Sequence, residues 1–423
     1  MRVLWLCNIM LPAIAEELGM AASNKEGWLT GLAEQLIRHR EENGIELGVC
    51  FPVGKGGAPL QGTAGGLRYF GFTENTGKPE CYDKSLETQF AAVLKEYQPD
   101  VVHIFGTEFP HTLAMARSVQ DKKRVLVGIQ GICSKIADFY TADLPKSIVN
   151  RFLIRDVLRW DNIALQQKKF VQRGRMETEA LRSVGHITGR TAWDRQAAAE
   201  LAPAAEYHFM NETLRSQFYG PKWQFSECEK YSIFLSQGNY PVKGLHYLLL
   251  ALPDIVKKFP ETKVYVAGDE ITRYGTLKEK IKIGSYGKYC RKLIEEAGLI
   301  EKVVFLGKLN GSEMCSQYLK SHLYLSPSSI ENSSNSVGEA MLLGMPVVSS
   351  AVGGVPSMLE HEKEGLLYPR GDKEALAEAV CRMFADDDFA ASCGQNAATR
   401  AAITHNPSAN YSRLVEIYRE IVG

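Results

Sequence analysis

Short apolar runs alternate with longer amphipathic stretches along almost the whole chain. In the first half, residues 2–7, 45–51, 67–72, 101–106, 124–130 and 186–189 read as strands, each a brief apolar run ended by Gly or polar residues. Helix-period segments fall between them, at 28–40, 86–97 and 147–170. Runs such as VVHIFG and RVLVGIQ are apolar throughout rather than alternating, which suits parallel strands covered on both faces. Residues 211–230 are polar and aromatic-rich without a period, and are expected to be a hinge. The pattern then restarts with strands at 231–237, 263–268, 302–307, 323–328, 346–350 and 365–369.

Two successive βα alternations predict an α/β protein of two Rossmann-like, doubly wound domains facing a central cleft. The expected boundaries are 1–210, a hinge at 211–230, a second domain at 231–404, and a last amphipathic helix at 405–423. Ligands of such sheets bind beyond the carboxyl ends of the strands, so residues that follow strands and open helices are the ones to examine.

Composition narrows the reading. The 423 residues exceed one ordinary core, at roughly 100–200 residues per domain. Lys and Arg balance Asp and Glu at 49 each, so no global charge points to nucleic acid. Nine cysteines lack any C-x-x-C pair, as expected of reduced thiols in a cytoplasmic protein. The start, MRVLWLCNIM, fits a first strand better than a signal peptide, and no run reaches the ~18 apolar residues of a membrane span.

Candidate chemistry concentrates in LYLSPSSIENSSNSVGEAMLLGMPVVSSAVGGVPSMLE. A strand ends at Ser326-Pro327-Ser328, a polar loop carries Glu331, Ser333 and Ser334, and a helix then carries Glu339. Both glutamates fall at the carboxyl edge of one sheet. The loop serines and the free N–H groups of the helix start suit an anion, and a carboxylate there suits a vicinal diol. In SQGNYPVKGLHYLL, Lys243 opens a helix and can hold a phosphate as a point charge, with Asn239 as a neutral donor beside it. No His/Cys/Asp group has metal-ligand spacing, so no metal is expected.

The pattern S-P-S-x-x-E-x7-E-A-M-x-x-G-x-P-V-V, followed by G-G-V-P and E-G-L-L-Y-P, resembles the family 4 (group 1) retaining glycosyltransferases of the GT-B fold. The match is strong over 231–369 and weaker but collinear before it. The resemblance implies a sugar passed from a nucleotide-diphosphate sugar to a saccharide or lipid-linked acceptor, with retention and without metal or further cofactor. It implies that Glu339 holds the donor ribose, that Glu331 lies near the transferred sugar, that Lys243 binds the diphosphate and that Lys308 lies by the nucleoside base. The family's arginine five residues before the lysine is Gly238 here. In the first half, Gly27 stands where the family has a glycine-rich loop near the donor phosphates. Gln130 stands where it often has a histidine near the reacting sugar. Glutamine is no base, which leaves Glu108 and His111 as candidates. Arg190 and the stretch 284–289 are weaker candidates to line the cleft. Two other readings stand beside this one: another GT-B-type enzyme such as a nucleotide-sugar epimerase, and a non-catalytic sugar-nucleotide binding module.

Residues 146–175 carry eight Lys or Arg against Asp156 and Asp161. On a helix, Arg151, Arg155 and Arg159 make one stripe, while Phe152, Val149, Val157 and Trp160 favour other faces. Either a solvated helix or peripheral contact with anionic headgroups at the inner membrane face follows from that pattern.

Overall fold

A computed structural model describes residues 1–20, 27–54 and 60–423. Strands β1 (Arg2–Leu6), β2 (Glu46–Val53), β3 (Gln61–Ala64), β4 (Leu67–Thr73), β5 (Val101–Phe105), β6 (Val125–Gly128), β7 (His186–Gly189) and β8 (Glu206–Phe209) form one sheet. Its order is β3-β4-β2-β1-β5-β6-β7-β8, parallel except where β3 pairs antiparallel with β4. A second, all-parallel sheet contains β9 (Glu229–Leu235), β10 (Lys263–Ala267), β11 (Val303–Gly307), β12 (Ser321–Ser326), β13 (Val347–Ser350) and β14 (Leu366–Tyr368). Its order is β11-β10-β9-β12-β13-β14. The chain therefore winds outward one way from β9 and the other way from β12. The crevice at their carboxyl ends is the switch point where such sheets bind ligands. Every residue of β5 and of β12 is buried, which is what their unbroken runs require.

The chain forms two compact units. One comprises Met1–Lys135, Lys169–Leu214 and His405–Gly423; the other comprises Ile136–Lys168 and Arg215–Thr404. This differs from the boundaries read in the sequence, because 136–168 packs with the later unit. Tyr247 donates to Asp143 Oδ2 at 2.6 Å, and His246 Nε2 donates to the Ala142 carbonyl at 2.8 Å. Both partners lie in a segment that sequence order assigns to the earlier domain. Nothing in local periodicity reports such a long-range pairing.

The final helix, Pro407–Val422, begins on an Asn406 cap and buries Leu414, Val415, Ile417 and Tyr418 in the first unit. These side chains join a core containing Trp5, Leu29, Leu36 and Phe51. The Tyr418 hydroxyl accepts from Trp5 Nε1 at 2.8 Å and lies 2.7 Å from His103 Nδ1.

All twelve strands read from the sequence are present. Two more were not read: β3 is QGTA, too short and Gly-interrupted to signal, and β8 is the polar run EYHF. The helix expected over 147–170 is broken instead into Lys146–Val149, Ile154–Arg159 and the start of Ile163–Arg182. Trp160 adopts φ 49°, and the Asp156 side chain turns back to accept from the Leu153 N–H at 3.0 Å. The residues 211–230 contain two short 3-10 turns, Ser216–Phe218 and Phe225–Glu227.

Candidate functional site

The site in the second unit grows out of the loops after β9 and β12. Gly244 has φ +71°, and a Cβ there would lie 1.8 Å from the Pro327 carbonyl oxygen. Only glycine lets the two loops touch. The Ser329 N–H then donates to the Val242 carbonyl at 2.8 Å, fastening them. A third loop, after β13, closes the set. Gly353, at φ +52°, would place a Cβ 1.9 Å from the Glu331 carbonyl oxygen, and the Gly354 N–H donates to that oxygen at 3.0 Å. The G-G-V-P motif thus fixes the backbone of Glu331, a role its residue types alone did not announce.

Fastening these loops brings Lys243 Nζ to 2.6 Å from Glu331 Oε1, which also accepts from the Ser328 hydroxyl at 2.7 Å. Burial alone would lower the Lys243 ammonium, but the Glu331 carboxylate outweighs it and holds the group above its usual range. The pair lines a small cavity with Ser236, Gln237, Tyr324, Ser334 and Ser336. Ser334 caps the helix Asn335–Leu343 by accepting from the Val337 N–H at 3.4 Å. Ser333 sits half-buried in the same loop. An ammonium and a helix N-terminus, the two kinds of group that suit an anion, converge here.

Glu339 lies on that helix, buried, and its oxygens accept from Arg215 Nε and Nη2 at 2.6 and 2.7 Å. Burial lowers the Arg215 guanidinium, but Glu339 more than compensates and holds it above its usual range. Arg215 was missed because it sits in an aperiodic stretch with no motif around it. Asn239 is exposed on the loop after β9. Gly238, where the resemblance placed an arginine, packs so closely that a Cβ would meet Val266 Cγ1 at 2.8 Å. Its bareness is a packing requirement. Lys308 is exposed after β11 and lies 3.6 Å from Asp269.

Beside this cluster the second unit holds a cavity of about 630 Å³, lined by Asn239, Tyr240, Glu270, Arg273, Tyr286 and Arg155 among others. The stretch 284–289 opens the helix Ser285–Glu296, and its first residues line that cavity. Ser285 donates to the buried Asp156 carboxylate at 2.8 Å. Arg155 binds Asp156 at 3.0 Å and faces Asp161 at 3.8 Å, so it belongs to an ion network rather than to a solvated stripe.

The first unit gathers its candidates after β1, β4, β5 and β6. His111 is buried, with Nδ1 2.7 Å from Glu74 Oε2 and Nε2 2.9 Å from Asn8 Oδ1. Glu108 Oε1 accepts from the Gly131 N–H at 3.2 Å, and burial pushes its acid up against the pull of backbone donors and Arg173. Glu108 Oε2 is buried with no partner among the described residues. Gln130 donates to Glu212, which pairs with Arg190 at 2.6 Å. Arg190 is therefore buried in an internal pair and not extended into a ligand space. Gly27 opens the helix Gly27–Arg38; the loop before it lies outside the described residues.

Residues 218–400 match the family model of the glycosyl transferases group 1. An uncharacterized glycosyltransferase of Methanocaldococcus jannaschii is 32% identical over 162 residues, covering 38% of this chain and 37% of that protein. The matched stretch thus spans well under half of that relative. Over the whole length, sucrose-phosphate synthase from Thermosynechococcus elongatus superposes with a TM-score of 0.71 at 16% identity, covering 99% of this chain and 98% of that one. Anabaena HepE in complex with UDP-glucose gives 0.68 at 16% identity, covering 99% and 100%. The fold is the two-domain GT-B architecture, and the chain carries a group 1 glycosyltransferase domain.

Proposed function

We propose, from the group 1 domain over 218–400 and the geometry at its switch point, that the protein is a retaining glycosyltransferase using a nucleotide-diphosphate sugar. The carrying observation is the Lys243–Glu331 pair, 2.6 Å apart beside the capped start of Asn335–Leu343. A diphosphate entering there exchanges the Glu331 carboxylate for its own oxygens at Lys243 and meets the helix N–H groups. The C1–O bond to the diphosphate breaks, a C1–O bond to the acceptor hydroxyl forms, and the hydroxyl proton leaves with the departing diphosphate. The leaving charge falls to Lys243 and the helix start, without metal. Glu331, released from its lysine, is placed for the transferred hexose, and Glu339 for the ribose through the lone pairs Arg215 leaves open. Glu108 is one of the first-unit carboxylates with an oxygen to spare, as is Glu74. Asn239 and Lys308 flank the donor as exposed polar groups.

The acceptor is a saccharide or a lipid-linked sugar, and one surface favours the lipid. Phe152, Ile154, Val157, Leu158 and Trp160 are all exposed, Trp160 by 68% and Leu158 by 76%. The sequence pattern set Phe152, Val157 and Trp160 off the arginine stripe, and all three are exposed. Arg159 lies exposed among them. Aromatic and aliphatic tips beside a cation suit the headgroup region of an anionic bilayer. No helix among the described residues is long and apolar enough to cross a membrane.

Donor hydrolysis measured across UDP-, GDP- and ADP-sugars, with and without EDTA, tests the reading. One nucleotide should be hydrolysed in EDTA as fast as in its absence. No turnover of any donor would support a binding module, and strict Mg²⁺ or Mn²⁺ dependence would overturn the metal-free diphosphate site. Sedimentation with anionic and neutral vesicles tests the surface, with Leu158→Asp expected to abolish binding to the anionic ones.

A further inference from the structure

The edge of the first unit's sheet carries a cluster that the donor chemistry does not use. β7 and β8 run parallel with His186 opposite Glu206 and Thr188 opposite His208. In that register His186, Glu206 and His208 project from one face. β8 is the edge strand, so the cluster sits where the sheet ends. His186 Nδ1 lies 2.9 Å from His208 Nε2 and 3.5 Å from Glu206 Oε2, and one ligand atom from each residue falls within 4.8 Å of the others. On its far side, His208 Nδ1 lies 3.3 Å from Glu420 Oε2, on the helix Pro407–Val422.

Counting protons exposes the imbalance. With His208 Nδ1–H directed at Glu420, its Nε2 is a lone pair. Glu206 offers only lone pairs. The single proton on His186 Nδ1 can satisfy one of them, and the three ligand atoms lie within 4.8 Å of one another. A carboxylate that orients a histidine from behind is the usual support of a metal ligand. The two separations at His186 Nδ1, 2.9 and 3.5 Å, bracket the spacing of such ligands. Ligands about 2.0–2.2 Å from a tetrahedral centre stand roughly 3.3 Å apart. Local charge favours a cation, since Glu206, Glu416 and Glu420 outnumber Arg413, which is itself paired with Glu416 and Glu420 at 3.2 and 2.9 Å.

We propose that His186 Nδ1, His208 Nε2 and the Glu206 carboxylate bind one divalent transition ion, zinc foremost, with water as fourth ligand. Two imidazoles and a carboxylate select this class over Mg²⁺ or Ca²⁺. On binding, the His186 proton moves to Nε2 and Nδ1 becomes the ligand. The ion clamps the edge strand β8 to β7 and, through Glu420, to the final helix. Its role is structural, so it stands or falls independently of the donor site.

The test uses the full chain, freed of metal by chelator and dialysed, titrated with Zn²⁺ by calorimetry and with Co²⁺ by visible absorption. One ion per chain should bind with a Kd of about micromolar or tighter, and Co²⁺ should give the intense bands of a four-coordinate site. Zinc at a hundred times Kd should raise the first unit's thermal midpoint by roughly 5 °C or more. Glu206 is an exposed ligand, so Glu206→Gln keeps the fold; it and His186→Ala should each weaken binding at least ten-fold and remove the thermal shift. His361→Ala, at an exposed histidine of the second unit, should change neither. Unchanged affinity in Glu206→Gln and His186→Ala, or loss of binding in His361→Ala, would overturn the site.

Discussion

The carboxyl edges of the two sheets are built on opposite plans. In the second unit, loops after β9, β12 and β13 touch through Gly244 and Gly353, and the charged pair they present, Lys243 and Glu331, lines a cavity. In the first unit the polar groups are spent on each other: His111 on Glu74 and Asn8, Gln130 on Glu212, and Glu212 on Arg190. One edge keeps its charges available by using backbone to hold the loops. The other uses side-chain pairs to hold them, which leaves Glu108 Oε2 and Glu74 Oε1 without partners among the described residues. A receptor for a charged ligand is better made in the first way, since a buried network of mutual side-chain pairs resists exchange.

The sharpest break of this comparison is removal of residues 405–423. Leu414, Ile417 and Tyr418 belong to the first unit's core and Ile421 packs against it. The truncated chain is expected to be insoluble; a folded, active product on gel filtration would refute the packing. Next, Glu339→Ala leaves the Arg215 guanidinium half-buried and unpaired, at roughly 3–5 kcal/mol. Urea denaturation should show this loss, and Glu339→Leu with Arg215→Met should recover most of it. Nucleotide affinity by calorimetry should fall in both variants; affinity unchanged in the double variant would remove Glu339 from the donor site.

Acid should treat the two units alike. Burial lowers His246 in the second unit to about 4 and His103 in the first to about 3. The unfolded chain takes up the proton first, near pH 6.5. Stability is therefore full above that pH and lost as pH falls toward the folded values. Between pH 7 and 4.5, wild type should lose roughly 2–3 kcal/mol more than His246→Gln. An equal loss in both would dismiss His246 as the cause. Lys243→Ala should lower kcat/KM by roughly ten- to a hundred-fold, or about 1.4–2.7 kcal/mol, and should also lower the midpoint of unfolding, since it leaves the largely buried Glu331 without its cation. The smallest effect expected is that of Gly238→Arg. It restores the family's charge yet forces Val266 aside, at about 1–2 kcal/mol, and should not raise kcat/KM. A gain in activity at full stability would show the crowding to be harmless.

Much of the fold was legible because parallel strands must be apolar throughout, and runs such as VVHIF and VYVA say so in any context. The loops after β9 and β12 were legible for a related reason. Lys243, Glu331, Ser334 and Glu339 sit in short motifs whose spacing is fixed by one strand, one loop and one helix. What escaped was set by contacts far apart in the chain. Arg215 meets Glu339 across 124 positions and Glu74 meets His111 across 37, with no pattern at either end. The helix over 147–170 was misread because periodicity records apolar spacing but not the Asp156 cap or the left-handed Trp160 that interrupt it.

The distribution of the first unit along the chain bears on its synthesis. On the ribosome, every residue of the second unit, through Thr404, emerges before His405–Gly423. The unit that begins later can finish folding earlier. The first sheet, though made first, waits with Trp5 and His103 lacking the Tyr418 hydroxyl, its core uncovered for most of translation. A nascent chain stalled short of residue 405 should therefore hold one folded unit and one that chaperones still bind.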